Sequence, residues 1–201
     1  FSSGMDLSSL NDLAGEAHRL RPFRNECIEA WNRLEEMTKP TIVQIHGACI
    51  GGAMELALAA DMRVMAEDAV AGLLETRIGL IPDVGGCSRL PSVVGVGIAK
   101  ELIMTGKVID GREAHRIGLA NRIAAADALD ATTEALCNEL LACAPIAVGL
   151  AKRVIDSAAK PALAQTLEQE VTAQTVCAAS QDFAEGAKAF IEKRDPEFAG
   201  R

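Results

Sequence analysis

The stretch IHGACIGGAMELALAADMRV, residues 45–64, most constrains what this chain can fold into. A β-rich run ends at Gly47, the pair Gly51 and Gly52 follows, and an apolar helical pattern leads into a second strand-like run. Glycine lets a backbone approach a ligand closely and leaves its N–H groups uncovered. The start of the following helix adds unpaired N–H groups and the positive end of a dipole. The segment therefore predicts an α/β unit whose turn can hold a negative oxygen.

The glycine turn has a second interpretation, a tight strand-to-helix connection that needs glycine for steric reasons alone. Glu55 bears on this choice because its neighbours are Ala, Met and Leu, and a carboxylate in such company is costly unless something uses it. A second acid, Glu75, ends the apolar run AVAGLL and enters the loop IGLIPDVGG. Two carboxylates that converge can hold one water and exchange protons with it. The alternative is two unrelated surface acids, and their spacing in the sequence leaves both interpretations open.

Composition places the chain among globular proteins. Its 201 residues are 49% hydrophobic but only 3% aromatic, so we expect a core of Ala, Leu, Ile and Val. A net charge of −8 argues against non-specific binding to nucleic acid or anionic membranes. The six cysteines show neither CxxC nor Cys/His spacing, which favours free buried thiols and no metal site. No apolar run is long enough to predict a membrane span.

The sequence divides into an α/β part, residues 1–124, and an all-helical part, residues 125–201. The first part begins with an amphipathic helix over about residues 18–37 and then alternates short strand-like runs with helices. The second part is helical throughout, with breaks at Pro145, Pro161 and Ser180. One apolar stripe in it predicts packing either on the body of the protein or against another subunit; it consists of Leu163, Leu167, Val171 and Val176.

Five stretches, read in order, resemble the crotonase superfamily and within it the enoyl-CoA hydratases. They are FSSGMDL, HGACIGGAMELALAADMRV, ETRIGLIPDVGG, LIMTGKVIDGREAHRIGLANRI and FAEGAKAFIEKRDPEF. The resemblance covers nearly the whole chain. It implies an α/β fold with a crotonase-like spiral core of ββα units, followed by a C-terminal all-helical oligomerisation region. Relatives carry strands ahead of the first stretch, and the sequence given begins at that stretch.

The resemblance also implies a site. Two backbone N–H groups, from Met5 and Gly52, would form an oxyanion hole for a thioester carbonyl. Glu55 would mainly activate water, and Glu75 would mainly deliver a proton to the substrate Cα. Further contacts to substrate or coenzyme A are implied at Ser3, Gly4, Asp6, Leu7, Gly51, Phe190 and Lys193, the last two reached from a neighbouring subunit.

The implied activity is hydration of a trans-2-enoyl-CoA to a 3-hydroxyacyl-CoA, with CoA as part of the substrate and no separate cofactor. One alternative is an enoyl-CoA isomerase on the same scaffold, which usually needs only the acid that corresponds to Glu75. Another is a non-catalytic protein that binds acyl-CoA, or that binds RNA through a basic segment carrying Arg19, Arg21, Arg24 and Arg33. The acidic net charge argues against RNA.

We expect a homo-oligomer, a trimer or a dimer of trimers, away from membranes. The free cysteines favour a cytoplasmic location. Mitochondria are the alternative if a targeting segment lies upstream.

Overall fold

A computed structural model describes residues 1–6 and 17–201, and the side chains of the second range from residue 21 onward. The described strands form two three-stranded sheets, ordered β1-β3-β6 and β2-β4-β5. Their bounds are β1 (Ile42–Ile45), β2 (Ala48–Ile50), β3 (Met62–Ala66), β4 (Val70–Gly72), β5 (Val108–Asp110) and β6 (Arg122–Ala124).

Helices cover both sheets. They are α1 (Ala17–Glu36), α2 (Gly52–Ala59), α3 (Gly86–Val94), α4 (Val96–Thr105), α5 (Gly111–Arg116), α6 (Leu129–Leu141), α7 (Pro145–Ala159), α8 (Leu163–Ala178) and α9 (Gln181–Glu192), with 3₁₀ turns at Glu75–Ile78 and Ala126–Ala128. The strand-and-helix part thus gives way to four successive helices, as the sequence predicts. The domain boundary between residues 124 and 125 stays a prediction.

The first sheet is parallel throughout and fills the core. β3 lies between β1 and β6, with Gln44 opposite Val64 and Met65 opposite Ile123. Strands of parallel sheets are covered on both faces and so carry near-continuous apolar runs. Val64 and Met65 are accordingly fully buried. Because these strands are apolar, the runs TIVQIHG and MRVMAE predict β1 and β3 from sequence.

The second sheet positions the N-terminal segment. β2 pairs with β4 in parallel, and β4 pairs with β5 in antiparallel orientation. Ser2 extends this sheet: its N–H donates to the carbonyl of Ala48 at 2.7 Å, and its carbonyl accepts from Ile50 at 3.2 Å. Residues 3–5 therefore lie at the end of β2, beside the glycine pair that opens α2.

Several local predictions can be compared with the structure. The side chain of Asp110 caps α5 by accepting from the N–H of Glu113 at 2.8 Å. Ser180 caps α9 in the same way. Pro145 occupies the first turn of α7, but Pro161 precedes α8 because that helix begins only at Leu163. β2 and β5 were not predicted.

Part of the apolar stripe on α8 packs on the body of the chain, and the predicted contact with another subunit stays a prediction. Leu167 and Val171 are buried against the body of the chain, whereas Val176 is exposed. The six cysteines are free thiols, but the prediction that they are buried is wrong for most of them: only Cys49 is buried, and Cys143 is exposed. Among the described residues no group of His, Cys, Asp and Glu has the arrangement to hold a metal ion. No single described helix is long and apolar enough to cross a bilayer, and the segments Ala126–Leu141 and Pro145–Ala159 meet that test only as a pair bent by 104°.

Close backbone contacts hold α9 against the 3₁₀ turn Glu75–Ile78. A Cβ at Gly186 would lie 2.6 Å from the carbonyl oxygen of Ile78, and a Cβ at Gly79 would lie 2.8 Å from the backbone of Phe183. Glycine permits this approach because nothing larger than hydrogen fits. The C-terminal helix thereby fixes the turn on which Glu75 lies.

We expect Gly186→Ala to destabilise the protein by about 1–3 kcal/mol, because the added methyl collides with backbone that cannot yield locally. Gly97→Ala is the matched control in helix α4, where a Cβ would meet none of the described atoms within 4 Å. This control should be neutral or stabilising by about 0.4–1 kcal/mol. Denaturant unfolding of both variants gives the two free energies. Equal effects would contradict the packing of α9 described here.

Candidate active site

Glu55 is the buried centre of the site. It lies on the first turn of α2 and is 2% exposed. Its Oε1 accepts two backbone hydrogen bonds, from Val84 and from Gly86, each at 2.9 Å. These donors belong to the N-terminal end of α3, where N–H groups have no partner within the helix. Burial raises the pKa of the Glu55 carboxyl, and the two N–H groups oppose that rise because they favour the charged form.

Glu75 has a different environment. It opens the 3₁₀ turn that follows β4, and its Oε2 is buried without a hydrogen-bond partner among the described residues. Its Oε1 faces the glycine turn, since a Cβ at Gly51 would lie 3.0 Å from that oxygen. Burial, and next the nearby charge of Glu55, raise the pKa of Glu75 to about 8. This shift favours the protonated form of Glu75 at neutral pH.

The two predicted oxyanion-hole residues are neighbours. Gly52 is the first residue of α2, so its N–H precedes the first bond inside the helix. Gly4 has a φ of 94°, and a Cβ there would lie 2.6 Å from the carbonyl oxygen of Ile50 and 3.6 Å from the nitrogen of Gly52. Only glycine fits this left-handed, crowded position. Met5 follows directly, which places its backbone beside the start of α2.

The structure thus brings together most of the predicted site, in the region of Ser3, Gly4, Met5, Gly51, Gly52, Glu55 and Glu75. Asp6 adjoins this region and is exposed, and Leu7 lies outside the described residues. Phe190 and Lys193 stand apart, exposed at the C-terminal end of α9. Their predicted contact with a neighbouring subunit's ligand stays a prediction.

A third buried acid, Asp83, adjoins the pair and was not assigned to the site from sequence. It is 3% exposed and forms an ion pair with Arg24 of α1, at 2.5 Å between Oδ2 and Nε. Burial raises the pKa of Asp83 to about 8, against the opposing charge of Arg24. Arg24 also reaches the sulfur of Met5 through Nη1 at 3.7 Å. Helix α1 thereby links the N-terminal segment to the loop next to Val84.

This ion pair corrects the interpretation of the basic segment. Arg24 is buried and cannot form part of a basic surface. Arg21 pairs with Glu168 of α8, and Arg33 pairs with Glu29 one turn away on its own helix. The side chain of Arg19 lies outside the described part of the chain. Acidic partners therefore engage every described arginine that the RNA-binding alternative relied on.

Arg89 sets the shape of the loop that holds Glu55. It is fully buried, pairs with Glu35 of α1 at 2.9 Å, and donates to the carbonyl of Val84 at 3.3 Å. Gly85 has a φ of 120°, and a Cβ there would lie 1.8 Å from Nη1 of Arg89. Close packing around this guanidinium therefore requires glycine at residue 85, whereas a Cβ at Gly86 would lie 2.4 Å from Cβ of Pro82.

Two more buried polar residues, Glu170 and Gln174 of α8, contact the same loop. Sequence reasoning missed both. The signal was present, because they lie at helical spacing within the apolar stripe of Leu167 and Val171, where a polar residue needs a buried partner.

The whole chain, residues 1–201, matches the family described as enoyl-CoA hydratase/isomerase. The chain belongs to this family. It is 39% identical over 210 residues to the human protein named enoyl-CoA hydratase domain-containing protein 2, mitochondrial, covering 100% of this chain and 70% of that protein. It is 33% identical over 201 residues to crotonyl-CoA hydratase of Syntrophomonas wolfei, covering 100% of this chain and 76% of that protein.

Solved structures of the family share the architecture. An enoyl-CoA hydratase from Mycobacterium avium subsp. paratuberculosis superposes with a TM-score of 0.83 at 28% identity, covering 90% of this chain and 73% of that one. The α/β fold of crotonase type expected from the sequence is confirmed.

Proposed function

We propose that this protein hydrates a trans-2-enoyl-CoA thioester to a 3-hydroxyacyl-CoA. The observation that carries the proposal is the unequal pair of buried acids. Glu55 is bonded by two N–H groups that favour its ionised form, while Glu75 is buried with an unpartnered oxygen that favours its protonated form. One base and one acid beside the same glycine turn are what addition of water requires. Family membership supports CoA as the substrate carrier.

In the proposed reaction the thioester carbonyl accepts hydrogen bonds from the backbone of Met5 and Gly52. Negative charge builds on that oxygen as water adds, and a preorganised donor of this kind is typically worth about 3 kcal/mol. Glu55 takes one proton from the water as its oxygen bonds to the substrate Cβ. Glu75 gives its proton to the substrate Cα. The product has gained one water, and exchange with solvent restores the two glutamates.

The second candidate is a double-bond isomerase on the same scaffold. The buried Asp83 favours it, because moving a double bond requires a group that removes a proton at one carbon and a group that supplies one at another. The ion pair with Arg24 argues against it, since Asp83 already has a cationic partner. Hydration is therefore the better-supported reaction.

Glu55→Gln and Glu75→Gln should each lower the rate of crotonyl-CoA hydration by about 10²- to 10⁴-fold, because each removes one of the two proton-transfer groups. Loss of the conjugated thioester absorbance measures that rate. Glu134→Gln is the matched control, an exposed carboxyl of α6 changed to an amide, and should hydrate at the wild-type rate.

Either glutamine variant with wild-type activity would contradict the two-carboxylate mechanism. A 3-enoyl-CoA substrate separates the alternatives. Formation of the conjugated thioester without subsequent hydration would identify an isomerase.

We also propose a homo-oligomer, formed through an apolar row on α7. Ile146, Leu150 and Val154 are 79%, 56% and 69% exposed and lie four residues apart, hence on one helix face. Contiguous exposed apolar side chains of this kind are typical of an interface. A second copy of this chain is the occupant that fits the predicted oligomer.

Leu150→Glu should shift the protein toward monomer, because a charge would be buried in that interface. Light scattering gives the molar mass. Met104→Glu, at an exposed apolar residue on α4, is the control and should keep the wild-type mass. A monomeric wild type, or an unchanged mass in Leu150→Glu, would refute the proposed interface.

The location we propose is mitochondrial rather than cytoplasmic. The human relative carries "mitochondrial" in its name, and the expected cytoplasmic location finds no support in that comparison. Imaging of the tagged full-length protein tests this, and a diffuse cytoplasmic signal would overturn it.

A further inference from the structure

The backbone N–H groups around the start of α3 are shared between two buried carboxylates on opposite sides. One is Glu55, which accepts hydrogen bonds from the N–H groups of Val84 and Gly86. The other is Glu170 of α8, whose Oε2 accepts from Gly85 at 2.7 Å and whose Oε1 accepts from Ser88 at 2.5 Å. The hydroxyl of Ser88 donates to that same Oε1 at 2.6 Å. The donors for the two acids alternate along the chain.

Gln174, one helical turn beyond Glu170 on α8, adds another hydrogen bond to the same loop. It is fully buried, and its Oε1 accepts from the N–H of Ile81 at 3.0 Å. Residues four apart on a helix lie on the same face, so α8 presents Glu170 and Gln174 together. The two side chains therefore hold the loop at both ends, residues 81 and 88. The donors for Glu55 lie between those ends.

Burying a carboxylate and an amide for packing alone is unfavourable, since apolar residues fill such space without a desolvation cost. Burial raises the pKa of Glu170 to about 7, and the hydrogen bonds from Ser88 and Gly85 oppose the rise. Loops are more mobile than the elements they connect. A shift of a few tenths of an ångström in this loop would weaken the 2.9 Å bonds to Glu55.

We propose that Glu170 and Gln174 are positioning residues, which fix the loop of residues 81–88 so that its N–H groups at Val84 and Gly86 stay directed at Glu55. They touch neither the substrate nor the reacting atoms. The inference rests on the proposed function only where it is measured through turnover. Its structural part, the order of the two N–H groups at Glu55, is measurable without any substrate.

The test variant is Glu170→Gln. Its amide NH₂ is a donor, so it cannot accept the hydrogen bond that one carboxylate oxygen of Glu170 accepts from a backbone N–H group in the wild type. We expect kcat for crotonyl-CoA hydration to fall by about 10- to 100-fold, since small displacements near a reacting group have effects of this order. KM should stay near the wild-type value because no substrate contact changes. Glu168→Gln makes the same exchange on the same helix at a side chain that is 60% exposed, and should leave both constants unchanged.

The second readout is amide hydrogen exchange at Val84 and Gly86. Neither N–H donates to Glu170, so the loss of a hydrogen bond to Glu170 would not by itself change their exchange rates. We expect both to exchange faster in Glu170→Gln than in the wild type or in Glu168→Gln. If Glu170→Gln does not fold, Gln174→Ala takes its place with the same two readouts, because it removes only one neutral acceptor.

Wild-type kcat in a folded variant overturns the inference, as does unchanged exchange at Val84 and Gly86. A fall in binding alone, with KM raised and kcat retained, also overturns it. If the wild type hydrates no enoyl-CoA, the proposed function fails, and the exchange measurement then decides the positioning claim alone.

Discussion

The paired hydrogen bonds from Val84 and Gly86 to one oxygen of Glu55 are the interaction on which the rest of the site depends. A carboxylate that is 2% exposed needs compensation, and these two donors provide it. They come from a loop about 30 residues further along the chain, so the site forms only when that loop is in place. The buried guanidinium of Arg89 and the carboxylate of Glu170 hold the loop from two sides.

Burial of Glu75 and this interaction at Glu55 together produce the asymmetry between the two glutamates. Since the N–H groups favour negative charge on Glu55, that charge in turn disfavours ionisation of Glu75. Two interacting carboxyls then share one proton, and the proton resides on Glu75, whose Oε2 has no hydrogen-bond partner among the described residues. The same asymmetry assigns the roles of base and acid in the proposed reaction. The guanidinium of Arg24, which pairs with Asp83, lowers the pKa of both glutamates and so opposes the effect of burial.

Much of the fold could be predicted from the sequence, because the patterns that indicate strands and helix ends are local. Apolar runs predicted β1 and β3, and Ser180 marked the break before the last helix. Of the strands, β2 and β5 were not predicted, because pairing with β4 rather than a local pattern stabilises them. The convergence of Glu55 and Glu75 was left open for the same reason: it depends on contacts between distant segments. Arg24 shows this limit most clearly, since its neighbours suggested a basic helix face, whereas tertiary packing buries it against Asp83.

The central claim is that Glu75 holds the proton while Glu55 is the more readily ionised acid. Titration of ¹³C-labelled glutamate side chains by NMR tests it, with Glu55→Gln and Glu75→Gln assigning the two resonances. We expect the Glu75 carboxyl to titrate near pH 8 and Glu55 to ionise at a lower pH. The reverse order, or a Glu75 carboxyl that titrates near the value of about 4.3 typical of an exposed glutamate, would contradict it.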